Sequence, residues 1–562
     1  MKKRFLIWWT RIQGNENQLS LVLSLVVGAV VGLVVVAFLV LTGELAVRMY
    51  PPGGAPWRRV LVPTLGSLAT GFLLFRYFPF ARGSGIPQTK YALFVEDGKI
   101  SLRTVVGKFV CCCAALASGV SLGREGPSVQ IGGGIGSVIA RRLGVSRTLV
   151  KSQLISGSAA ALAAAFNTPI AAVLFALEEI TGDLHAPVLG SVVIASATAW
   201  MVLHLFLGDE PLFHVPAYKL AHPVEFAMYA ALGIFGGLAS VAFVKLLLWL
   251  RLKFRLWPRW TIWMQPAVGG LTTGLIGWFY PDVMGAGYHY VDGVLNGDMV
   301  VKTLFILAVL KIVATAVCYS SGNAGGIFGP SLFIGAMVGG SFGSVVHHFL
   351  PNHTAGPGAY ALVGMGVAFA GIIRSPLTSV IMIFEMTRDY AIIVPLMISN
   401  LIAFFISYKL QPEPIYEALA GQDGVHLPTA EGRMQLLRLR VSDAMSEPAE
   451  IFSPDTPLAV VAQVAGPAVV GDPEKLWGVL DPREVGNLFL ESGTLGELLG
   501  NPEGDIPHVH PDHSLAIALD RMGNAKVRVL PVVSRANVHH LLGIITLEAV
   551  LDAYGLSIPP SP

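Results

Sequence analysis

The sequence predicts an all-α, polytopic membrane protein built from two related halves, followed by a small α/β module. Of its 562 residues, 53% are hydrophobic and only 13% are charged, whereas soluble proteins carry about 25% charged residues. A ten-residue stretch that begins at Gly123 recurs at Gly326, with the same residue at six positions. Beyond about residue 420, charges and prolines separate short apolar runs. These observations predict a duplicated, lipid-embedded region followed by a tail of soluble composition.

The chain is expected to divide into four parts, with bounds 1–18, 19–212, 213–420 and 421–562. The first is a short polar segment whose basic start, Met1-Lys2-Lys3-Arg4, predicts a cytoplasmic N-terminus. The apolar run from Leu19 to about Leu41 is too long for a signal-peptide core and predicts a retained span. In 19–212 and 213–420, several apolar stretches are shorter than the roughly 20 residues of a full span. Such broken helices are tolerated where they are buried in protein or line a cavity.

The two halves are related along their whole length. Besides the stretches at 123 and 326, matched pairs recur at nearly the same offset. They are Pro63/Pro266, Gly66/Gly269, Gly157/Gly364, Pro169/Pro376 and Glu178/Glu385. A collinear set of this kind indicates an internal duplication. Membrane duplications are often inverted, with the substrate site where the repeats meet.

Three segments combine glycine with a proline that suits the first helical turn. They are Gly83-Ser84-Gly85-Ile86-Pro87, Gly123-Arg124-Glu125-Gly126-Pro127 and Gly326-Ile327-Phe328-Gly329-Pro330. Glycine lets a backbone approach a ligand closely, and a helix N-terminus offers free N–H groups and a partial positive charge. Several such ends aimed at one point would bind an anion without a full positive charge. The alternative is that these glycines only allow close helix packing.

Two glutamates lie inside apolar sequence, where ionisable residues are functional-site candidates. Glu125 stands at a helix start, where its carboxylate would compete with an anion for the same N–H groups. The alternative is a structural ion pair with Arg124, although neighbouring residues on a helix do not face each other. Glu179 aligns with Met386 in the second half, so it is present in one half alone. The alternative interpretation is that Glu179 is a solvated residue at a helix end.

The three motifs and the chain between them resemble the CLC family of chloride channels and chloride/proton antiporters, over residues 19–420. The resemblance implies a homodimer with one pore per subunit and two inverted halves in each subunit. It implies an anion site formed by the hydroxyls of Ser84 and Tyr416 and the backbone N–H groups of Ile327 and Phe328, with Glu125 competing for it. The implied pore-motif residues are Gly83, Gly85, Pro87, Gly123, Arg124, Gly126, Pro127, Gly326, Gly329 and Pro330.

By the same resemblance the protein is expected to be an electrogenic chloride/proton antiporter and not an enzyme. Glu125 would be the external gate and proton acceptor, and Glu179 the internal proton relay. A passive, voltage- or pH-gated chloride channel is the first alternative, although family channels usually carry an apolar residue at the position of Glu179. A fluoride exporter is the second, and Arg124 argues against it. A membrane-bound sensor is the third, and buried carboxylates argue against that.

The tail resembles the paired CBS domains of many CLC proteins, with one unit from Val441 to Leu480 and another from Thr494 to Thr546. Such pairs can bind adenine nucleotides through a Ser/Thr and an Asp that follow a strand. The second unit has Thr546 but Ala549, and the first has Asp481 and Glu484 at these positions. These departures favour a structural or dimer-supporting role over nucleotide binding.

No other cofactor and no metal is expected, because the four cysteines lack metal-ligand spacing. The partners are expected to be chloride, protons, lipid and a second subunit, and not nucleic acid. The compact size, without long insertions, favours a prokaryotic inner membrane.

Overall fold

The computed structural model describes residues 16–51, 53–184, 186–208, 212–213, 215, 222–297, 299–425, 427, 439–447, 450–461, 467–472, 475–480, 493–499, 506–525 and 527–554. The chain divides into two compact units, Met1–Leu427 and Pro428–Pro562. The basic start at Met1 to Arg4 lies outside the described residues.

The described part of the first unit is helical and contains two sets of eight α-helices in the same order. The first set, α1 to α8, is Glu16–Met49, Pro56–Arg76, Ile86–Phe94, Leu102–Ala117, Glu125–Arg142, Arg147–Phe166, Pro169–Phe175 and Leu189–Leu207. The second set, α9 to α16, is Glu225–Arg255, Gln265–Phe279, Tyr288–Leu295, Val301–Ser320, Phe328–Phe349, Pro357–Ile373, Pro376–Thr387 and Ile393–Leu410. One more helix, α17, spans Ile415–Gln422. The internal duplication is thus confirmed, helix by helix.

Many of these helices suit a lipid bilayer, and seven helical segments of the described chain are long and apolar enough to cross one. The short helices α3, α7 and α11 have nine, seven and eight residues. At about 1.5 Å per residue they cannot cross the hydrocarbon core alone. The expectation of broken helices within the membrane unit therefore holds.

The two halves are inverted with respect to each other, as helices α7 and α15 demonstrate. Glu178 lies in the π-helical turn Ala176–Thr181 that continues α7, and its carboxylate accepts the N–H of Thr378 in the first turn of α15 at 2.8 Å. Glu385, near the end of α15, accepts the N–H of Ala171 in the first turn of α7 at 2.7 Å. Because the end of each helix meets the start of its counterpart, the two helices are antiparallel.

Glycine lets equivalent helices touch backbone to backbone in both halves. A Cβ atom added to Gly157 of α6 would lie 2.2 Å from the carbonyl oxygen of Gly132 in α5. One added to Gly335 of α13 would lie 2.2 Å from the carbonyl oxygen of Gly364 in α14. Small residues at such contacts are the usual means of close helix packing in membranes, where the hydrophobic effect does not drive association.

The second unit repeats one small α/β arrangement. Strand β1 (Glu450–Phe452) pairs in parallel with β2 (Ala468–Asp472), which pairs antiparallel with β3 (Lys475–Leu480). In the same way Val509 bridges in parallel to Val532, within β4 (Val529–Val533), which pairs antiparallel with β5 (Leu541–Thr546). The helices of the described tail are Leu458–Val461, Leu495–Leu499, Leu515–Ala525 and Leu547–Ala553.

The leading segment of each tail unit packs into the core of the other unit, which sequence order does not predict. Val441 packs into the core formed by Leu515 and Leu530 of the second unit. Leu495 packs with Leu458 and Ala468 of the first unit. A short apolar segment can fill either of two similar cores, and chain order does not decide between them.

We expect Gly157→Ala to lower the thermal unfolding midpoint of the detergent-purified protein, because its methyl group would push α5 and α6 apart. Overpacking of this kind costs about 1–3 kcal/mol. Gly364→Ala, the equivalent change in the second half, should behave alike. Gly43→Ala in α1 is the control, since a Cβ there meets no atom within 4 Å. Equal midpoints for Gly157→Ala and Gly43→Ala would contradict the tight contact.

Candidate functional site

The backbone joins the three glycine-proline motifs at one place. Gly123 and Gly326 exchange hydrogen bonds, and each N–H donates to the carbonyl oxygen of the other at 2.7 Å. The N–H of Gly325 donates to the carbonyl oxygen of Gly83 at 3.3 Å. The starts of α3 and α5 from the first half and of α13 from the second half therefore converge.

Several motif glycines are needed for this convergence. A Cβ on Gly126 would lie 2.8 Å from the Ser84 hydroxyl oxygen, and one on Gly326 would lie 3.0 Å from the Gly126 nitrogen. Gly85 has φ +106°, in the left-handed region, which glycine adopts without strain. Each motif proline lies within the first three residues of its helix. These are Pro87 in α3, Pro127 in α5 and Pro330 in α13.

The hydroxyls of Ser84 and Tyr416 are buried and close to each other, and neither makes a hydrogen bond of ordinary geometry with a described residue. Tyr416 lies in the first turn of α17. This helix packs against α3, which begins two residues after Ser84. Leaving a buried polar group unsatisfied costs about 1–3 kcal/mol. Two such hydroxyls fit a site that is completed by a small hydrogen-bond acceptor from outside the chain.

The backbone N–H groups of Ile327 and Phe328 are also available at the start of α13. Both residues are fully buried, and no described residue accepts a hydrogen bond from either N–H. The Phe328 ring stacks on Phe369 at 5.1 Å and meets the edge of Phe175, also at 5.1 Å. This aromatic packing holds the backbone in place, so the N–H donors are preorganised.

Glu125, which begins α5, has its carboxylate at the start of the helix of the other half. It is 0% exposed. One oxygen accepts the N–H of Gly329 at 3.3 Å, and the other accepts the hydroxyl of Tyr288. The Nε of Arg124 lies 3.8 Å from that second oxygen. The Arg124 pair therefore exists, but both hydrogen bonds to the carboxylate come from the second half.

Glu179 is buried in a group of three charges, which excludes the solvated helix end. Its side chain is 8% exposed, and its Oε1 lies 2.8 Å from the Nζ of Lys90. The same Nζ lies 2.5 Å from Oε1 of Glu417. The hydroxyl of Ser375 donates to the other oxygen of Glu179 at 3.3 Å. Two acids and one base thus share a site with little access to water.

Sequence reasoning missed Lys90, Glu417 and Tyr288. Lys90 lies one turn into α3, and Glu417 directly follows Tyr416, so both adjoin motif residues already identified. Tyr288 matches Ile86 in the repeat alignment, and this difference between the halves was the available signal. The partners themselves come from distant parts of the chain.

Sequence reasoning also missed two buried lysines, which donate hydrogen bonds to the loops that precede α3 and α11. Lys108 donates to the carbonyl oxygen of Gly83 at 2.6 Å, and Lys311 donates to that of Gly285 at 2.7 Å. They occupy equivalent positions in α4 and α12. The signal that could have found them was a lysine at the repeat offset in the apolar part of two equivalent helices. Each ammonium group satisfies backbone carbonyls that helix hydrogen bonds leave free.

Of the tail residues considered for a nucleotide site, Thr546 and Ala549 lie within the described ranges. Thr546 is the N-cap of the last helix and accepts the N–H of Ala549 at 3.1 Å. Asp481 and Glu484 lie outside the described residues. Within the described ranges, His, Cys, Asp and Glu side chains form no group of three able to hold a metal ion.

Fold and site together define an inverted-repeat membrane protein in which helix starts from both halves converge. Residues 66–408, more than half of the chain, match the family model described as voltage gated chloride channel. Residues 497–555 match the CBS domain model. The chain therefore belongs to the voltage-gated chloride channel family, the CLC family, and carries a C-terminal CBS domain.

Named relatives agree with this assignment. A ClcB-like chloride channel protein of Ralstonia nicotianae is 33% identical over 381 residues, which cover 66% of this chain and 89% of the relative. The H(+)/Cl(-) exchange transporter ClcA of Vibrio campbellii is 33% identical over 354 residues, 62% of this chain and 76% of the relative. The crystal structure of a slow cyanobacterial Cl-/H+ antiporter aligns with TM-score 0.67 and 26% identity, covering 72% of this chain and 97% of that one.

We expect Lys90→Met to destabilise the protein, because it leaves two buried carboxylates without their cation. Removing one partner of a buried pair costs about 3–5 kcal/mol. Adding Glu417→Gln to Lys90→Met should recover part of the loss, since a single carboxylate then remains. The measurement is the thermal unfolding midpoint in detergent, with the exposed Lys99→Met as the matched control. If the double variant were no more stable than Lys90→Met, the three charges would not form one group.

Proposed function

We propose that the protein is an electrogenic chloride/proton antiporter with one pore per subunit. The observation that carries this proposal is the place of the Glu125 carboxylate, on the N–H of Gly329 at the start of α13. A carboxylate and a chloride ion are stabilised there by the same N–H groups and the same helix dipole. Ion and side chain therefore compete, and occupation by one excludes the other.

Protonation of Glu125 is the step that exchanges them. The neutral acid loses most of its attraction to the N–H of Gly329 and leaves the helix start, and the proton travels with it. Chloride then enters and is held by the hydroxyls of Ser84 and Tyr416 and the N–H groups of Ile327 and Phe328. These donors are uncharged, so they bind the anion without preventing its release.

Glu179 is proposed to pass protons between Glu125 and the cytosol. With Lys90 charged, the pair Glu179 and Glu417 can hold one proton between them and leave the group neutral. A buried site of this composition takes up and releases a proton without creating a large net charge. Met386 occupies the equivalent place in the second half, so this acid is not part of the repeated scaffold.

A passive chloride channel of the same fold is the second candidate, and the name of the Ralstonia relative favours it. The burial of Glu179 beside Lys90 favours the antiporter, because a channel has no use for an ionisable group kept there. Arg124 argues against a fluoride exporter. We further propose a homodimer in a prokaryotic inner membrane, with cytosolic termini and a tail that supports the assembly without nucleotide.

We expect Glu179→Gln to leave chloride flux largely intact while proton coupling falls at least tenfold, because glutamine cannot bind and release the proton. Proteoliposomes with a clamped membrane potential and a chloride gradient measure both fluxes. Glu96→Gln, in the exposed loop after α3, is the control and should keep full coupling. Retained coupling in Glu179→Gln, or no proton movement in the unmodified protein, would contradict the antiporter.

We expect Glu125→Gln to make chloride flux insensitive to pH, because an amide is neutral at every pH and does not compete as a charged group. Chloride flux is measured from pH 4 to pH 8 in the same vesicles, with the exposed Glu44→Gln as control. A steep pH dependence that survives in Glu125→Gln would remove Glu125 from the gate.

A further inference from the structure

We propose that Tyr288 is a positioning residue for the gate: its hydroxyl holds the ionised Glu125 at the start of α13 and sets the pH at which the gate opens. This inference rests on the proposed function, in which Glu125 is the gate. Tyr288 would not bind the transported ion. It would act on transport through Glu125 alone.

The two oxygens of Glu125 are held by two different donors. Tyr288 donates to one oxygen, and the N–H of Gly329 donates to the other at 3.3 Å. Both donors belong to the second half, whereas Glu125 belongs to the first. The carboxylate must break both hydrogen bonds before an anion can replace it.

The donor hydroxyl is itself held firmly. Tyr288 is the first residue of α11, and it follows Gly287, whose φ of +82° is in the left-handed region. The ring meets the edge of Phe213 at 5.8 Å, and the guanidinium of Arg124 lies over it at 5.5 Å. A Cβ on Gly329 would lie 2.7 Å from the Tyr288 hydroxyl oxygen, so glycine there leaves room for the contact.

Packing alone does not require this hydroxyl. In the repeat alignment Tyr288 corresponds to Ile86, and Glu125 corresponds to Phe328, so the equivalent pair has no polar side chain. A phenyl ring would fill the same space between Phe213 and Arg124. What phenylalanine would lack is the one O–H group that reaches the carboxylate.

The hydroxyl stabilises the Glu125 carboxylate at the start of α13, because a carboxylate accepts a hydrogen bond more strongly than a neutral acid does. The groups that face this carboxylate are Tyr288, the N–H of Gly329 and, at 3.8 Å, the Nε of Arg124. Removing the hydroxyl leaves the other two in place. The carboxylate should then be held less firmly, and the pH profile of chloride flux should shift to higher pH.

The test compares Tyr288→Phe with the unmodified protein in proteoliposomes, with chloride flux measured from pH 4 to pH 8 at a clamped potential. We expect the midpoint of the pH profile to rise by about one unit, a tenfold change in proton affinity, with the maximal flux at low pH unchanged. Tyr290→Phe, two residues further along α11, is the matched control and should not move the midpoint. In a Glu125→Gln background, Tyr288→Phe should have no further effect on the profile.

An unchanged midpoint, or a flux reduced by the same factor at every pH, would overturn the role of Tyr288 and leave the gate intact. A pH profile that stays steep in Glu125→Gln would instead overturn the gate itself. 3-Fluorotyrosine at position 288 preserves the ring and makes the hydroxyl a stronger donor, so it should move the midpoint to lower pH. This second variant tests the role of the Tyr288 hydroxyl even if Tyr288→Phe proves unstable.

Discussion

The contact between Gly123 and Gly326 is the constraint on which the rest of the structure depends. Two backbone hydrogen bonds of 2.7 Å hold the helix starts of the two halves together. A side chain at either glycine would separate them, since a Cβ on Gly123 would lie 2.9 Å from the nitrogen of Gly329. Three other features position the segments around this contact. They are the antiparallel arrangement of the halves, the close packing of α5 on α6, and the hydrogen bonds that Lys108 and Lys311 donate to backbone carbonyls. Free N–H groups therefore face one point between the halves.

Duplication built the scaffold, and the differences between its copies carry the chemistry. Where one half has a polar group that could act on an ion or a proton, the other has an apolar residue. The pairs are Ser84/Ala286, Glu125/Phe328, Glu179/Met386 and Ile86/Tyr288. By contrast, Glu178 and Glu385 occur in both halves and cap helices in both. The carboxylates that both halves share thus cap helices, whereas Glu125 and Glu179 each occur in one half alone.

Much of the site could be predicted because its motifs are local in sequence. Glycine and proline mark the helix starts, and the repeat offset shows which positions differ. What could not be predicted were the partners of the ionisable groups. Lys90 and Glu417 are separated by 327 positions in the chain. The sequence around either residue does not indicate that the two side chains are in contact. The exchanged segments of the tail were missed for the same reason, since two similar cores accept either one.

The sequence by itself determined the membrane class, the duplication, the family and the residues that form the helix starts. Apolar composition, glycine and proline act locally, so their consequences can be derived from the chain. Only the tertiary structure decided which donors hold Glu125 and which charges surround Glu179. Glu125 lies 163 positions from Tyr288 and 204 from Gly329. Contacts over such separations depend on how the inverted halves pack against each other. A local sequence pattern does not predict that packing.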